Sequence, residues 1–152
     1  MQYLTLTFEQ LSSLQLWKIL RLRQEVFVLE QQCLFPEIDD RDPAAIHLLA
    51  YPEMESDAQP LAAYCRLLAP GQRFPEPAIS RVVVAPSHRR GGVGLQLMQQ
   101  AISETRRIWK PSAIRISAQQ HLEPFYSRVG FQTCSATYLE DDIAHVDMKL
   151  ER

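Results

Sequence analysis

The spacing of hydrophobic and polar positions changes several times along this chain, and each change marks an element. Tyr3 to Phe8 alternates and predicts a first strand. From Ser12 to about Gln31 apolar residues recur at helical spacing, with Leu16, Ile19, Leu20 and Phe27 on one side and Leu22 and Val26 near it. Ser12 or Ser13 can cap this helix, and Pro36 ends the region before an acidic loop, Glu37 to Asp42. Ile46 to Tyr51 and Leu61 to Leu68 read as strands on either side of a polar turn bounded by prolines. A strand from Ala78 to Ala85 follows the loop Pro70 to Pro77. The next helix runs from about Gly91 to Ile108, with Val93, Leu97, Met98, Ala101, Ile102, Thr105 and Ile108 on one face. Ala113 to Ala118 predicts a strand, and His121 to Val129 a short helix stopped by Gly130. Phe131 to Cys134 and His145 to Leu150 predict the last two strands. The order β-α-β-β-β-α-β-α-β-β, without repeat or linker, predicts an α/β fold built on one mixed sheet, as a single domain over residues 1–152.

Composition narrows the class without changing that picture. Of 152 residues 46% are hydrophobic and 22% charged, and the net charge of −2 offers no global basic field for nucleic acid. Cys33, Cys65 and Cys134 form neither a disulfide framework nor a CxxC pair, which suits a reducing compartment. The first residues lack the basic start and apolar stretch of a secretory signal. No apolar run approaches the ~20 residues that span a bilayer. The expectation is a cytoplasmic protein that does not engage a membrane.

One junction carries chemistry. The β-branched run Val82-Val83-Val84 stops before Pro86, and the basic, glycine-rich stretch Arg89-Arg90-Gly91-Gly92-Val93-Gly94-Leu95 leads straight into a helix. Such a turn aims free backbone N–H groups at one spot, where the helix dipole also favours an anion. Glycines let a diphosphate approach the main chain. The P-loop pattern fails because Leu95 rather than lysine follows Gly94, and the dinucleotide fingerprint fails at Leu97. A plain strand-to-helix turn with solvated arginines is the competing reading. The four histidines are scattered without an HExxH pair, and the acidic loop lacks calcium-site spacing, so no metal is expected.

The pattern R-x-x-G-x-G, from Arg89 through Gly92 to Gly94, resembles the coenzyme A signature of the GNAT N-acetyltransferase superfamily. The segment from Ala118 to Phe131, with Phe125-Tyr126 and Gly130-Phe131, is similar to the family's strand-helix block ending in FY-x-x-x-GF. The stretch Leu22 to Gln31, Asp39-Asp40, and Glu140-Asp141-Asp142-Ile143 with His145 resemble its ElaA-like branch. The resemblance implies a largely antiparallel sheet with splayed central strands. It also implies an acyltransferase that moves an acetyl group from acetyl-CoA to a primary amine of a small molecule or peptide, by direct attack in a ternary complex. Cofactor contacts then fall on Val82, Val83, Val84, Arg89, Arg90, Gly91, Gly92, Val93, Gly94, Leu95, Gln119 and Tyr126. Val82 and Val84 are in register to pair with the pantetheine arm, with Val83 turned to the other face.

Tyr126 occupies the family's position for the acid that protonates the departing thiolate; otherwise it is an aromatic packed beside Phe125 and Phe131. For the base Glu30 is the first candidate, with Glu25 and His121 as rivals and a water chain as a further option. Glu30, Gln31 and His121 are expected to line the acceptor side. Asp39, Asp40, Asp42, Glu140, Asp141 and Asp142 form either an acidic rim for a cationic amine or ordinary solvated loops. Cys65 and Cys134 are expected to pack as small hydrophobes. A non-catalytic acyl-CoA sensor or interaction module of the same fold is the alternative. Relatives of this kind are often dimers, so a homodimer is also an expectation of the resemblance.

Overall fold

The structure, a computed structural model, describes residues 1–53 and 56–152. Its sheet contains β1 (Gln2–Thr7), β2 (Ile46–Tyr51), β3 (Ala63–Leu68), β4 (Ala78–Val84), β5 (Ala113–Gln119), β6 (Gln132–Thr133), β7 (Tyr138–Glu140) and β8 (Ile143–Glu151). The strands lie in the order β1-β2-β3-β4-β5-β8-β6, with β7 also on β8. All neighbours are antiparallel except β4 and β5. The predicted mixed sheet is present. β7, too short to show a period, is an addition to the expected strands.

Two cores sandwich the sheet. On one face α2 (Val93–Trp109) buries Val93, Leu97, Met98, Ala101, Ile102 and Thr105, the face its spacing predicts. These side chains meet Leu48, Cys65, Ile79, Ile114, Ile116, Val146 and Met148. Tyr126, on the short helix α3 (Glu123–Ser127), and Phe131 join that core. On the other face α1 (Ser13–Arg23) packs Ile19 and Leu22 against Leu49, Tyr51, Tyr64 and Val83. Ser12 caps α1 in a box with Gln15: its hydroxyl accepts from the Gln15 N–H, and the Gln15 side chain accepts from the Ser12 N–H.

The expected helix to Gln31 is not uniform. From Gln24 to Glu30 it widens into a π-helix, closed by Gln31 N–H donating to Val26 O at 3.0 Å. Val26 stays in the core, while Glu30 and Gln31 are exposed at the end of the π-helix. The expected helix from His121 to Val129 is shorter too, a 3₁₀ turn over Gln120–Leu122 followed by α3. Cys65 is buried as expected, whereas Cys134 falls just past β6 and is exposed.

Candidate active site

The parallel pair β4 and β5 has a single registered partnership, Ala78 with Arg115. Beyond it the strands part, and a cleft of about 470 Å³ opens between them. A bulge in β4 shapes one wall. Tyr64 pairs with Val83 and Arg66 with Ser80, so Arg81 and Val82 together oppose Cys65. Arg81 takes a left-handed φ of 53°, uncommon for a side chain of this size. Its guanidinium is held by Glu37, with Nε 2.7 Å from Oε2, and by Asp39 at 3.3 Å. Val83 packs against α1, while Val82 and Val84 pack toward the α2 core and also line the cleft.

At one end lies the glycine-rich turn. The first amide of α2 with a partner inside the helix is that of Gln96, which donates to Gly92 O; the N–H groups just ahead of it have none there. A Cβ on Gly91 or on Gly92 would meet no atom within 4 Å, so both border open space. Gly92 also has a φ of 78°, which favours glycine. A diphosphate fits this cradle. Gly94 is small for a different reason than expected: a Cβ there would lie 3.3 Å from two ring atoms of Phe125 and 3.6 Å from a Val84 methyl. Arg90 and Val93 do not line the cleft; Arg90 is exposed, and Val93 is buried in the core with only its backbone to offer. Gly91, Gly92 and Leu95 likewise lie outside the lining.

Val82, Val83, Val84, Arg89, Gly94, Gln119 and Tyr126 do come together around the cleft, and so do Glu30, Gln31 and His121. The π-helix is tied to both sides of the gap. Glu30 contacts Arg89 beyond β4, and Gln119 at the end of β5 donates to Gln31 Oε1 at 3.2 Å. Glu25 points elsewhere, paired with Arg21 at 3.0 Å on the exposed helix surface. Tyr126 is buried in edge-to-face contact with Phe125 and Phe131, and burial pushes its phenol up from the usual value. Among the described residues no side chain hydrogen-bonds its hydroxyl, and the side chain lines the cleft.

The acidic loop is neither the open rim nor the ordinary solvated loop of the two sequence readings. Arg23 Nε lies 2.9 Å from Glu37 Oε2 and its Nη1 2.8 Å from Asp42 Oδ1. Arg66 donates to Asp39 at 2.6 Å and to Asp42 at 2.9 Å. Both arginines are fully buried, so Glu37, Asp39 and Asp42 neutralise the interior, while Asp40 is exposed. Burial alone would raise the Asp39 carboxyl, but hydrogen bonds and charge from Arg66 hold it down to about 2.

The opposite wall brings Ser117 and Arg73, to which the sequence pattern assigned no role, beside Gln119, Glu140 and His145. Ser117 and Gln119 on β5 face away from the α2 core, and His145 on β8 and Glu140 on β7 lie beside them, with Arg73 from the β3–β4 loop. Strand alternation along β5 could have placed Ser117 with Gln119. The rest depends on β7, which the pattern does not reveal.

The acetyltransferase (GNAT) domain family matches residues 53–152 of the chain. The chain is 39% identical over 145 residues to the UPF0039 protein C11D3.02c of Schizosaccharomyces pombe, covering 95% of this chain and 93% of that protein. It is 35% identical over 144 residues to the protein ElaA of Escherichia coli, covering 93% and 91% respectively. Among solved structures, an acyl-CoA N-acyltransferase from Pseudomonas aeruginosa superposes with a TM-score of 0.88 at 36% identity, over 98% of both chains. The crystal structure of E. coli ElaA gives 0.87 at 33% identity, over 99% of both.

Proposed function

The chain belongs to the GNAT acetyltransferase domain family, and from that premise we propose that it transfers an acetyl group from acetyl-CoA to a primary amine. One observation carries the reading: the parting of β4 from β5 opens a cleft lined by Arg89 and Gly94 of the glycine-rich turn and also by the side chain of Tyr126. Acyl-CoA, when bound, supplies an acyl group activated as a thioester.

The residues divide the work by position. The unpaired N–H groups from Gly91 to Leu95, with Arg89 and Arg90, hold the diphosphate. Val82 and the Val84 N–H offer strand backbone along the gap, the Val84 carbonyl being taken by Arg89 Nε, and the Val82 amide stabilises charge on the acyl oxygen. Tyr126 gives the leaving sulfur its proton. Burial keeps that phenol neutral across the range in which an amine begins to lose its proton, so it stays able to donate. Gln31, Gln119 and His121 border the acceptor side. The Glu30 carboxylate, held by Arg89, is better placed to fix the cofactor arginine than to accept a proton.

Two measurements test the proposal together. Calorimetry with coenzyme A and acetyl-CoA is expected to give saturable binding that weakens when Gly91 carries a bulky side chain. A free-thiol assay with acetyl-CoA and a panel of primary amines is expected to show release that depends on the amine. Binding without acceptor-dependent release would instead make the protein an acyl-CoA sensor.

A further inference from the structure

Strand β8 alternates through the sheet, placing Val146 and Met148 in the α2 core while Ile143 and His145 line the cleft. His145 stands opposite Gln119 of β5 on one side and Tyr138 of β7 on the other. Three contacts hold its ring. The ring stacks on Tyr138 with centroids 6.1 Å apart and planes 25° apart. Nδ1 lies 2.7 Å from Ile143 O, and Nε2 lies 3.5 Å from Glu140 Oε2. A carbonyl oxygen only accepts, so Nδ1 carries the hydrogen, and in the neutral ring the lone pair is on Nε2. Glu140 is steadied in turn by Arg73, 2.8 Å from Oε1, while Ser117 Oγ sits 3.5 Å from Oε2.

Of the other acids lining the cleft, Asp141 is exposed in the β7–β8 turn. Glu30 is engaged by Arg89, and Glu37 by Arg23 and Arg81. His121 lines the cleft from an exposed turn. His145 is instead buried to 8% exposure, yet reaches the cleft. A nitrogen lone pair fixed in direction, with a carboxylate beside it to balance the charge gained, is the arrangement that receives a proton.

We infer that His145 takes the proton of the acceptor's ammonium group, with Glu140 balancing the imidazolium and Arg73 positioning Glu140. This rests on the N-acetyltransferase reading above. One N–H bond of the ammonium breaks, its electron pair stays on the nitrogen, and the proton binds Nε2. Nδ1–H stays on Ile143 O, and the proton on Nε2 leaves through the cleft to water, restoring the neutral ring. Groups facing this position that also titrate or carry charge are Glu140 and Tyr138 on β7, Asp141 in the β7–β8 turn, Asp147 on β8, Arg73 and His121.

The test compares wild type, His145→Gln and Glu140→Gln in the thiol-release assay, using benzylamine, spermidine, lysine and a short peptide with a free N-terminus. His145→Gln is expected to lower kcat/KM for the amine about 100-fold at pH 7 and to recover to within about 3-fold near pH 9.5, where the amine loses its proton unaided. Glu140→Gln is expected to lose about 10-fold at pH 7, and acetyl-CoA affinity by calorimetry to stay unchanged in both. Independently of turnover, ¹⁵N NMR of the wild-type imidazole, assigned by difference from His145→Gln, is expected to show the neutral ring protonated on Nδ1. An active wild type with an unimpaired His145→Gln, or a neutral ring protonated on Nε2, overturns the inference and leaves the acetyltransferase reading standing. A wild type that releases no thiol with any amine overturns both.

Discussion

Glu30 and Arg89 face each other across the open edge of the cleft in a two-point contact. Glu30 Oε1 lies 3.1 Å from one guanidinium nitrogen of Arg89, and Oε2 3.0 Å from the other. Arg89 also donates from Nε to Val84 O at 3.2 Å, so the same side chain reaches the end of β4 and the π-helix. The pair joins the proposed cofactor turn to the wall on the acceptor side.

Glu30→Gln removes a negative charge beside the proposed diphosphate cradle. Coenzyme A affinity is expected to rise about 3-fold at low salt and the gain to vanish near 0.5 M salt, since both side chains are partly exposed and screened. Arg89→Ala is expected to weaken binding about 10-fold. Calorimetry at two ionic strengths checks both. A collapse of turnover in Glu30→Gln, with binding intact, would give Glu30 the role of base instead.

The three glycines of the turn should respond differently. Gly91→Leu adds a side chain toward open space at ordinary φ, so thermal stability should hold while coenzyme A affinity falls at least about 10-fold. Gly94→Ala pushes a methyl against the Phe125 ring and should cost about 1–3 kcal/mol of stability. Gly92→Ala strains a left-handed position and should cost about 1 kcal/mol. Chemical denaturation and calorimetry on the same three variants separate fold from ligand.

Tyr126→Phe removes a hydroxyl that no side chain among the described residues hydrogen-bonds, so its stability cost should be small. Turnover is expected to fall about 100-fold or more with acetyl-CoA affinity preserved. Unchanged turnover would leave Tyr126 a packing residue between Phe125 and Phe131.

Stability should erode in two steps as the solution is acidified. Burial pushes His47 below its ordinary value, helped by Arg23 and Arg66 and opposed by Asp42. The buried ring, 2.7 Å from Tyr64 Oη and 3.0 Å from Asp42 O, stays neutral while the unfolded chain takes up a proton. Stability is therefore full above about pH 6.5 and declines below it. Asp39, held down to about 2, and Asp42, lowered by Arg23 and Arg66 against its burial, stabilise the fold above the unfolded carboxyl value near 3.8. That contribution is lost as pH falls from there toward the folded value. Tm measured from pH 8 to pH 3 is expected to show both declines, with His47→Gln flattening the upper one and Asp39→Asn reducing the lower. A flat profile down to pH 4 would remove His47 from the account.

Much of this was legible before any coordinates. β2 runs from Ile46 to Tyr51, the bounds that the apolar run and its flanking turn mark, and the buried stripe of α2 is the one its spacing marks. The Ser12 cap follows from local chemistry too. The π-helix was not legible, because over two turns an apolar stripe fits a wider helix as well as an α-helix. β7 escaped because it has three residues, with Leu139 exposed between its neighbours. Its turn to β8 uses Asp141 and Asp142 at φ of 51° and 63°, where asparagine and glycine are the usual signal.

Periodicity along a chain encodes which side chains leave water, and turn chemistry encodes where the main chain bends, so the sequence by itself determined most of the elements, their buried faces and the glycine-rich turn. It could not determine which charges meet. Glu37, Asp39 and Asp42 found Arg23, Arg66 and Arg81, and Glu30 found Arg89 across 59 positions, only once the sheet had been assembled. The same assembly opened the gap beside β4 and set His145 next to Glu140. Charge pairing falls off with distance in space, and separation in sequence says little about that distance until distant strands have paired.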